Sequence, residues 1–201
     1  MSAKINTPTV SFSTLAKLMG PCTPVRQASL IRAHKYPTDG PKRSYQNARS
    51  QVVDHLVNQS PLNPSALRDH ERDAIQAFAA SGYVLAPGVS ATRPTTRSPH
   101  WRFGGVDISV FPDVDLSSAA GLGALKVHFN KEALPRGVGP SMAALLHAYK
   151  TNVLGQTASP RHCFIYEART GALHACGGAT SRLLSNVTAT CQLIASLWPS
   201  L

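Results

Sequence analysis

The sequence predicts an α/β protein with a mixed central sheet flanked by helices and a helical N-terminal region. Three observations predict it. Val106-Asp-Ile-Ser-Val110 and Leu125-Lys-Val-His-Phe129 alternate apolar and polar side chains, the period of a half-buried strand. Segments near 45–57, 141–154 and 181–198 instead space their apolar residues three and four apart, as a helix with one inward face does. The periods also come in a telling order: helices first, then three strands, a helix, two strands and a helix. Helices on both faces of one mixed sheet satisfy that order.

Each element has its own local warrant. Residues 1–10 read as a loose start or a first strand. Ser11 or Ser13 can cap a helix through Leu18, stopped by Met19-Gly-Pro21-Cys-Thr-Pro24. Val25 to Lys35 should be helical, with Leu30 and Ile31 inward and Arg26, Arg32 and Lys35 on the wet side. Tyr36-Pro-Thr-Asp-Gly-Pro41 is a cluster of turn formers. Tyr45–Val57 buries Ala48, Val52, Val53 and Leu56, and a helix from Ser65 to about Ala80 turns Leu67, Ile75 and Phe78 inward before Gly82 ends it. Tyr83–Ala86 reads as a short strand and residues 87–99 as a polar loop. Strands near 103–111 and 123–130 follow, then the 141–154 helix. Cys163–Ala168 and Ala172–Cys176 form a hairpin around Arg169-Thr-Gly171. The last helix carries Leu183, Leu184, Val187, Cys191, Ile194 and Trp198 on one face. The expected division is a basic helical region, 1–82, and an α/β core, 83–201, within one compact unit.

Composition bounds the function. With 201 residues, 43% of them hydrophobic, the chain can bury a full core. Twenty Lys and Arg against ten Asp and Glu give a net charge of +10, which favours a polyanionic partner. Residues 1–50 hold eight of those cations and a single acid, Asp39. No apolar run reaches the ~18–20 residues of a membrane span, and no secretory hydrophobic region opens the chain, so a cytoplasmic protein with no membrane partner is expected. Cys22, Cys163, Cys176 and Cys191 form no C-x-x-C pair and read as reduced, mostly buried thiols.

The acids near the first two strands are the chemical clue. Asp107, Asp113 and Asp115 stand on or just beyond the first strand, and Lys126, His128 and Lys131 on or after the second. Asp113 and Asp115 have two readings, as metal ligands or as caps of the turn before Leu116. Trp101 is a base-stacking platform or a strand anchor. His147 reads as a hydrogen-bonded core or surface residue. Arg49-x5-His55 has the spacing of an Arg/His ribonuclease pair, but the strands argue against the all-helical folds that use it. There is no phosphate-cradling glycine loop, nucleophile elbow or dinucleotide fingerprint.

These motifs resemble the RecB-like, CRISPR-associated exonuclease branch of the PD-(D/E)XK nucleases, which have a restriction-endonuclease-like fold. Ser11-Phe-Ser13 and Cys22-Thr-Pro24 resemble its opening. His55 lies on the corresponding histidine-bearing helix, Gly104-Gly-Val-Asp107 fits its Gly-x-x-Asp strand, and Tyr149 keeps the tyrosine of its following helix. The resemblance implies Asp107, Lys126 and Lys131 as catalytic residues and His55, Asp107, Asp113 and Asp115 as metal ligands, with Mg²⁺ as cofactor. The strand that should carry an acid has Lys126, His128 or Asn130 in its place. One carboxylate holds a hard cation poorly. The expectation is therefore a non-catalytic nuclease-fold protein without a cofactor that binds DNA or RNA regardless of sequence, alone or within a nucleic-acid-processing or defence assembly. Arg26, Arg32, Lys35, Lys42, Arg43, Arg49, Arg93, Arg97, Trp101 and Arg102 would make the contacts. The alternatives are an active Mg²⁺-dependent DNase with a rearranged site and a protein–protein adaptor for an acidic partner.

Overall fold

A computed structural model describes residues 7–37, 45–95 and 101–201. In chain order the elements are β1 (Thr9–Ser11), α1 (Phe12–Met19), α2 (Pro24–Lys35), α3 (Gln46–Asn58), a 3-10 turn (Pro64–Ala66) and α4 (Asp69–Ala80). Then come β2 (Ser90–Thr92), β3 (Trp101–Phe103), β4 (Val106–Ser109), β5 (Val114–Ser118) and β6 (Gly121–His128). Helix α5 (Val138–Asn152), β7 (Ala158–Glu167), β8 (Leu173–Ala175) and α6 (Thr180–Leu197) complete the chain. The architecture is α/β, with mixed sheets flanked by helices.

Local chemistry explains the helix ends. The Ser11 hydroxyl accepts the Thr14 N–H to start α1, and Thr23 accepts the Arg26 N–H to start α2, whose first residue is Pro24. Helix α3 has no cap of its own. Its first N–H groups, from Asn47 and Ala48, donate to the buried Glu71 carboxylate of α4 at 3.0 and 3.3 Å. The expected 65–80 helix is interrupted because Leu67 and Arg68 are extended, which leaves the short turn before α4.

The strands form two sheets, not one. Five strands lie in the order β2-β5-β6-β7-β8, with only β6 and β7 parallel, and three more in the order β1-β4-β3. The expected neighbour of the Leu125 strand, around 103–111, belongs to the smaller sheet. The Val110 N–H turns back to the Ile108 carbonyl at 3.0 Å, and Pro112 has no N–H to continue a ladder. Strand β4 is claimed by β1, which runs parallel to it from Thr9 opposite Asp107 to Ser11 opposite Ser109. The partner of β6 is β5, with Val114 opposite Leu125. Tyr83–Ala86 is not a strand. The chain turns at Gly88, whose φ is +76°, and β2 forms inside the stretch that reads as loop.

Strand β6 is central and covered on both faces. Leu125, Val127 and Phe129 enter one apolar cluster with Val52, Ile75 and Phe78 of α3 and α4. Ala124 enters the other, with Leu15, Ile31, Ile108, Leu145, Val187 and Trp198. That second cluster draws on both the N-terminal helices and the C-terminal one. The predicted inner face of α6 is part of it. One expectation reverses: Lys35 is 2% exposed, and its ammonium donates to the carbonyls of Trp198 and Pro199 at the end of α6. It satisfies the unpaired carbonyls of that helix end rather than facing water.

The β6–β7 contact makes a sharp demand at one residue. A Cβ on Gly123 would lie 2.1 Å from the His162 carbonyl oxygen, whereas one on Gly178 would meet nothing within 4 Å. Gly123→Ala should therefore cost about 3 kcal/mol or more in urea unfolding, and Gly178→Ala about 0.5 kcal/mol or less. Equal costs would contradict the β6–β7 pairing.

Candidate functional site

The candidate site is built around Asp113, at the head of β5. Its backbone N–H donates to the Leu125 carbonyl at 2.9 Å, and its Oδ2 accepts the Val127 N–H at 2.7 Å, so the carboxylate extends the β5–β6 ladder. Two cations share its other oxygen. Arg49 Nε, from α3, approaches Oδ1 to 3.0 Å, and Lys126 Nζ, from β6, to 3.8 Å. The Arg49 contact is close, but its N–H is not aligned as a hydrogen bond. Lys126 donates instead to the Phe111 carbonyl and lies over the Phe12 ring at 5.3 Å. Burial pushes the Lys126 ammonium below the ordinary lysine value; Asp113 opposes that shift and Arg49 adds to it.

The other predicted ligands do not join Asp113. Asp115 pairs with the buried Lys150 of α5 at 2.6 Å, so this acid and Asp113 form ion pairs rather than capping the turn before Leu116. Asp107 lies in the smaller sheet, in register with Arg102 of β3. His55 Nδ1 contacts the Ser60 carbonyl at 2.9 Å and its ring meets Phe78 edge-on. Glu71 caps α3. Among the described residues, no three His, Cys, Asp or Glu side chains converge as a metal-holding group. The residues described at Asp113 do not suit Mg²⁺: the one carboxylate among them already faces two cations and an amide.

The predicted binding residues divide. Arg26, Arg32 and Arg102 are exposed, while Lys35 is buried. Arg93 is paired with Asp54 and Arg49 with Asp113. Lys42, Arg43 and Arg97 lie outside the described residues. Trp101 is half-buried, 4.8 Å from the Phe103 ring and 6.3 Å from Tyr149, and packs on the core as a strand anchor. Lys131 is exposed in the loop after β6, away from Asp113's ion pairs.

Sequence reasoning missed a polar cluster at the carboxyl ends of the parallel pair β6 and β7. Glu167, 4% exposed, contacts His174 Nε2 at 2.6 Å and accepts the Leu134 N–H at 2.8 Å, fixing the loop after β6. Gly139 makes room for this arrangement, since a Cβ there would meet the His174 ring at 2.3 Å. His128, also buried, ends β6 beside this cluster. Burial pushes its imidazole down to about 4; Glu167 opposes this, and Lys17, His174 and Lys126 add to it. The signal available in the sequence was the polar run Asn130, Lys131 and Glu132 that follows His128 at the end of an alternating strand. The buried thiols of Cys163 and Cys191 are pushed up to about 12 by burial, which makes them poor nucleophiles.

Compared with known proteins, the chain matches no family model, no curated protein and no solved structure.

Two measurements check this geometry. His128 takes a proton near 6.5 when unfolded and near 4 when folded, so the unfolded chain binds more protons between those values. Stability should fall by up to about 3 kcal/mol as pH drops from 6.5 to 4 and stay unaffected by this group above 6.5. In His128→Gln, that part of the slope of unfolding free energy against pH should vanish. Asp113→Ala should lose about 3–5 kcal/mol at pH 7, because Lys126 and the Val127 N–H lose their buried acceptor. A loss under 1 kcal/mol would show that the carboxylate is not the hub described.

Proposed function

We propose that this chain is a nuclease-fold protein without nuclease activity, which binds DNA or RNA independently of sequence, alone or as a subunit of a nucleic-acid-processing or defence assembly. The observation that carries the reading is the state of the Asp113 site. PD-(D/E)XK enzymes take an Asp from one strand of a ribbon and an acid-x-Lys from the next. In our reading, Pro112-Asp113 at the head of β5 and Ala124-Leu-Lys126 on β6 correspond to those positions. Asp113 and Lys126 replace the Asp107-based assignment, and Ala124 stands where an active member has its acid. Fixed cations then take the role of a divalent ion in neutralising Asp113.

Topology supports the same reading. After α4, the strands β2, β5 and β6 form an antiparallel meander, α5 crosses over, and β7 returns parallel to β6. That order suits a restriction-endonuclease-like core, with β3 and β4 inserted between its first two strands. The net charge of +10 supplies attraction for phosphates that needs no base contacts.

Incubated with single- or double-stranded DNA and Mg²⁺ or Mn²⁺, the protein should cleave neither. It should bind nucleic acid with an affinity that falls steeply with salt, the log–log slope gaining about −0.7 to −0.9 per phosphate contacted. Cleavage lost in Asp113→Ala would restore the active-nuclease alternative. No salt-sensitive affinity for any DNA or RNA would favour an adaptor for an acidic partner.

A further inference from the structure

Two cavities adjoin at the carboxyl end of β6. The first, about 230 Å³, lies between the end of α1 and the loop after β6, with His128 among its lining residues. The second, about 270 Å³, continues past Lys131 to Tyr45. They share Lys17, Asn130 and Glu132, so they form one groove. The crevice beyond the carboxyl ends of parallel strands is where open α/β sheets hold ligands.

The walls of this groove are built rather than loose. Gly20 closes one side against the loop, where a Cβ would lie 2.5 Å from Pro135 Cγ. Glu167 fixes the other through the Leu134 N–H. The Tyr45 ring in the second cavity is itself stacked on Phe129, at 5.7 Å and 12° between planes, which places a rigid aromatic at that end. Three exposed cations, Lys17, Arg26 and Lys131, line the groove. A single acid, Glu132, stands among them, reaching Arg26 at 3.4 Å with both side chains largely in water. Such a pair is weak and easily exchanged.

We propose that this groove seats a single strand of nucleic acid over two consecutive nucleotides, with Glu132 occupying the position that a backbone phosphate takes on binding. The proposal rests on the nucleic-acid reading above and assigns that function its surface. Each recess has the scale of a nucleotide, which suits an unpaired strand better than a duplex. A cationic groove with an aromatic along it is the usual means of holding single strands without reading bases. Glu132 lowers the affinity for any anion, and the strand displaces its carboxylate from Arg26 when it binds.

Fluorescence anisotropy with labelled oligo(dT), oligo(rU) and a duplex of equal length tests this at low and moderate salt. Lys17→Glu and Lys131→Glu should each weaken single-strand binding by roughly 5–10-fold and reduce the salt slope by about 0.7. Glu132→Gln should tighten it by roughly 2–3-fold, since it removes the competing carboxylate. Arg161→Glu and Arg182→Glu change exposed cations that line neither cavity and should stay within about twofold of the native affinity. Melting curves confirm that each variant remains folded. If the native protein binds but the groove variants behave like these controls, or Glu132→Gln weakens binding, the groove is wrong and the wider reading stands. Preference for the duplex, with the same Lys17 dependence, overturns the single-strand occupant. If the native protein binds none of the three, both proposals fall.

Discussion

The structure depends on keeping charge inside a strand that is covered on both faces. β6 lies at the middle of five strands, yet its buried side chains include Lys126 and His128. An ammonium there is tolerable only where acceptors are fixed around it, and Asp113 together with the Phe111 carbonyl supplies them. Asp113 in turn holds the Val127 amide and draws Arg49 from α3 on to the end of the hairpin. One carboxylate thus sets the β5–β6 register and anchors a helix of the opposite layer. His128 meets the same demand differently, remaining uncharged through the physiological range.

On the reading proposed above, this arrangement would account for a nuclease scaffold that has lost its metal site. A carboxylate that binds a metal must keep lone pairs free toward an open site. Here the same group is held in structural ion pairs with the Arg49 guanidinium and the Lys126 ammonium. The role proposed for this end of the sheet is electrostatic attraction, which needs exposed cations and a shaped surface. Burial raises the thiol pKa values of Cys163 and Cys191, and Asp115 is held in its pair with Lys150.

What could be read from the sequence was local. The start of α1 followed from Ser11 and the core face of α6 from its spacing, whereas Thr23 and Pro24, read as part of a stop, open α2. The division into two sheets could not be read that way. Val106–Val110 and Val114–Leu116 both alternate, and the choice between them rests on a γ-turn at Val110 and on pairing with β1, near the other end of the chain. The acids Asp113 and Asp115 stood out early. Their pairing with Arg49, Lys126 and Lys150 did not, since ion pairs across layers leave no periodic trace. Lys35 was misread for a related reason: helical spacing placed it on a wet face, and only the distant end of α6 explains why it is dry.

The Lys35 contact has a bearing on how the chain is made. Its ammonium is buried against carbonyls of Trp198 and Pro199, at the far end of the sequence. During synthesis, α2 emerges long before those carbonyls exist, and burying a lone ammonium without them is costly. The N-terminal helices must therefore wait in an unsettled state until α6 leaves the ribosome, and only then can the first core close. A chain interrupted before residue 198 would expose the apolar faces of α1, α2 and α5 together, making early termination a source of aggregation rather than of a smaller working fragment.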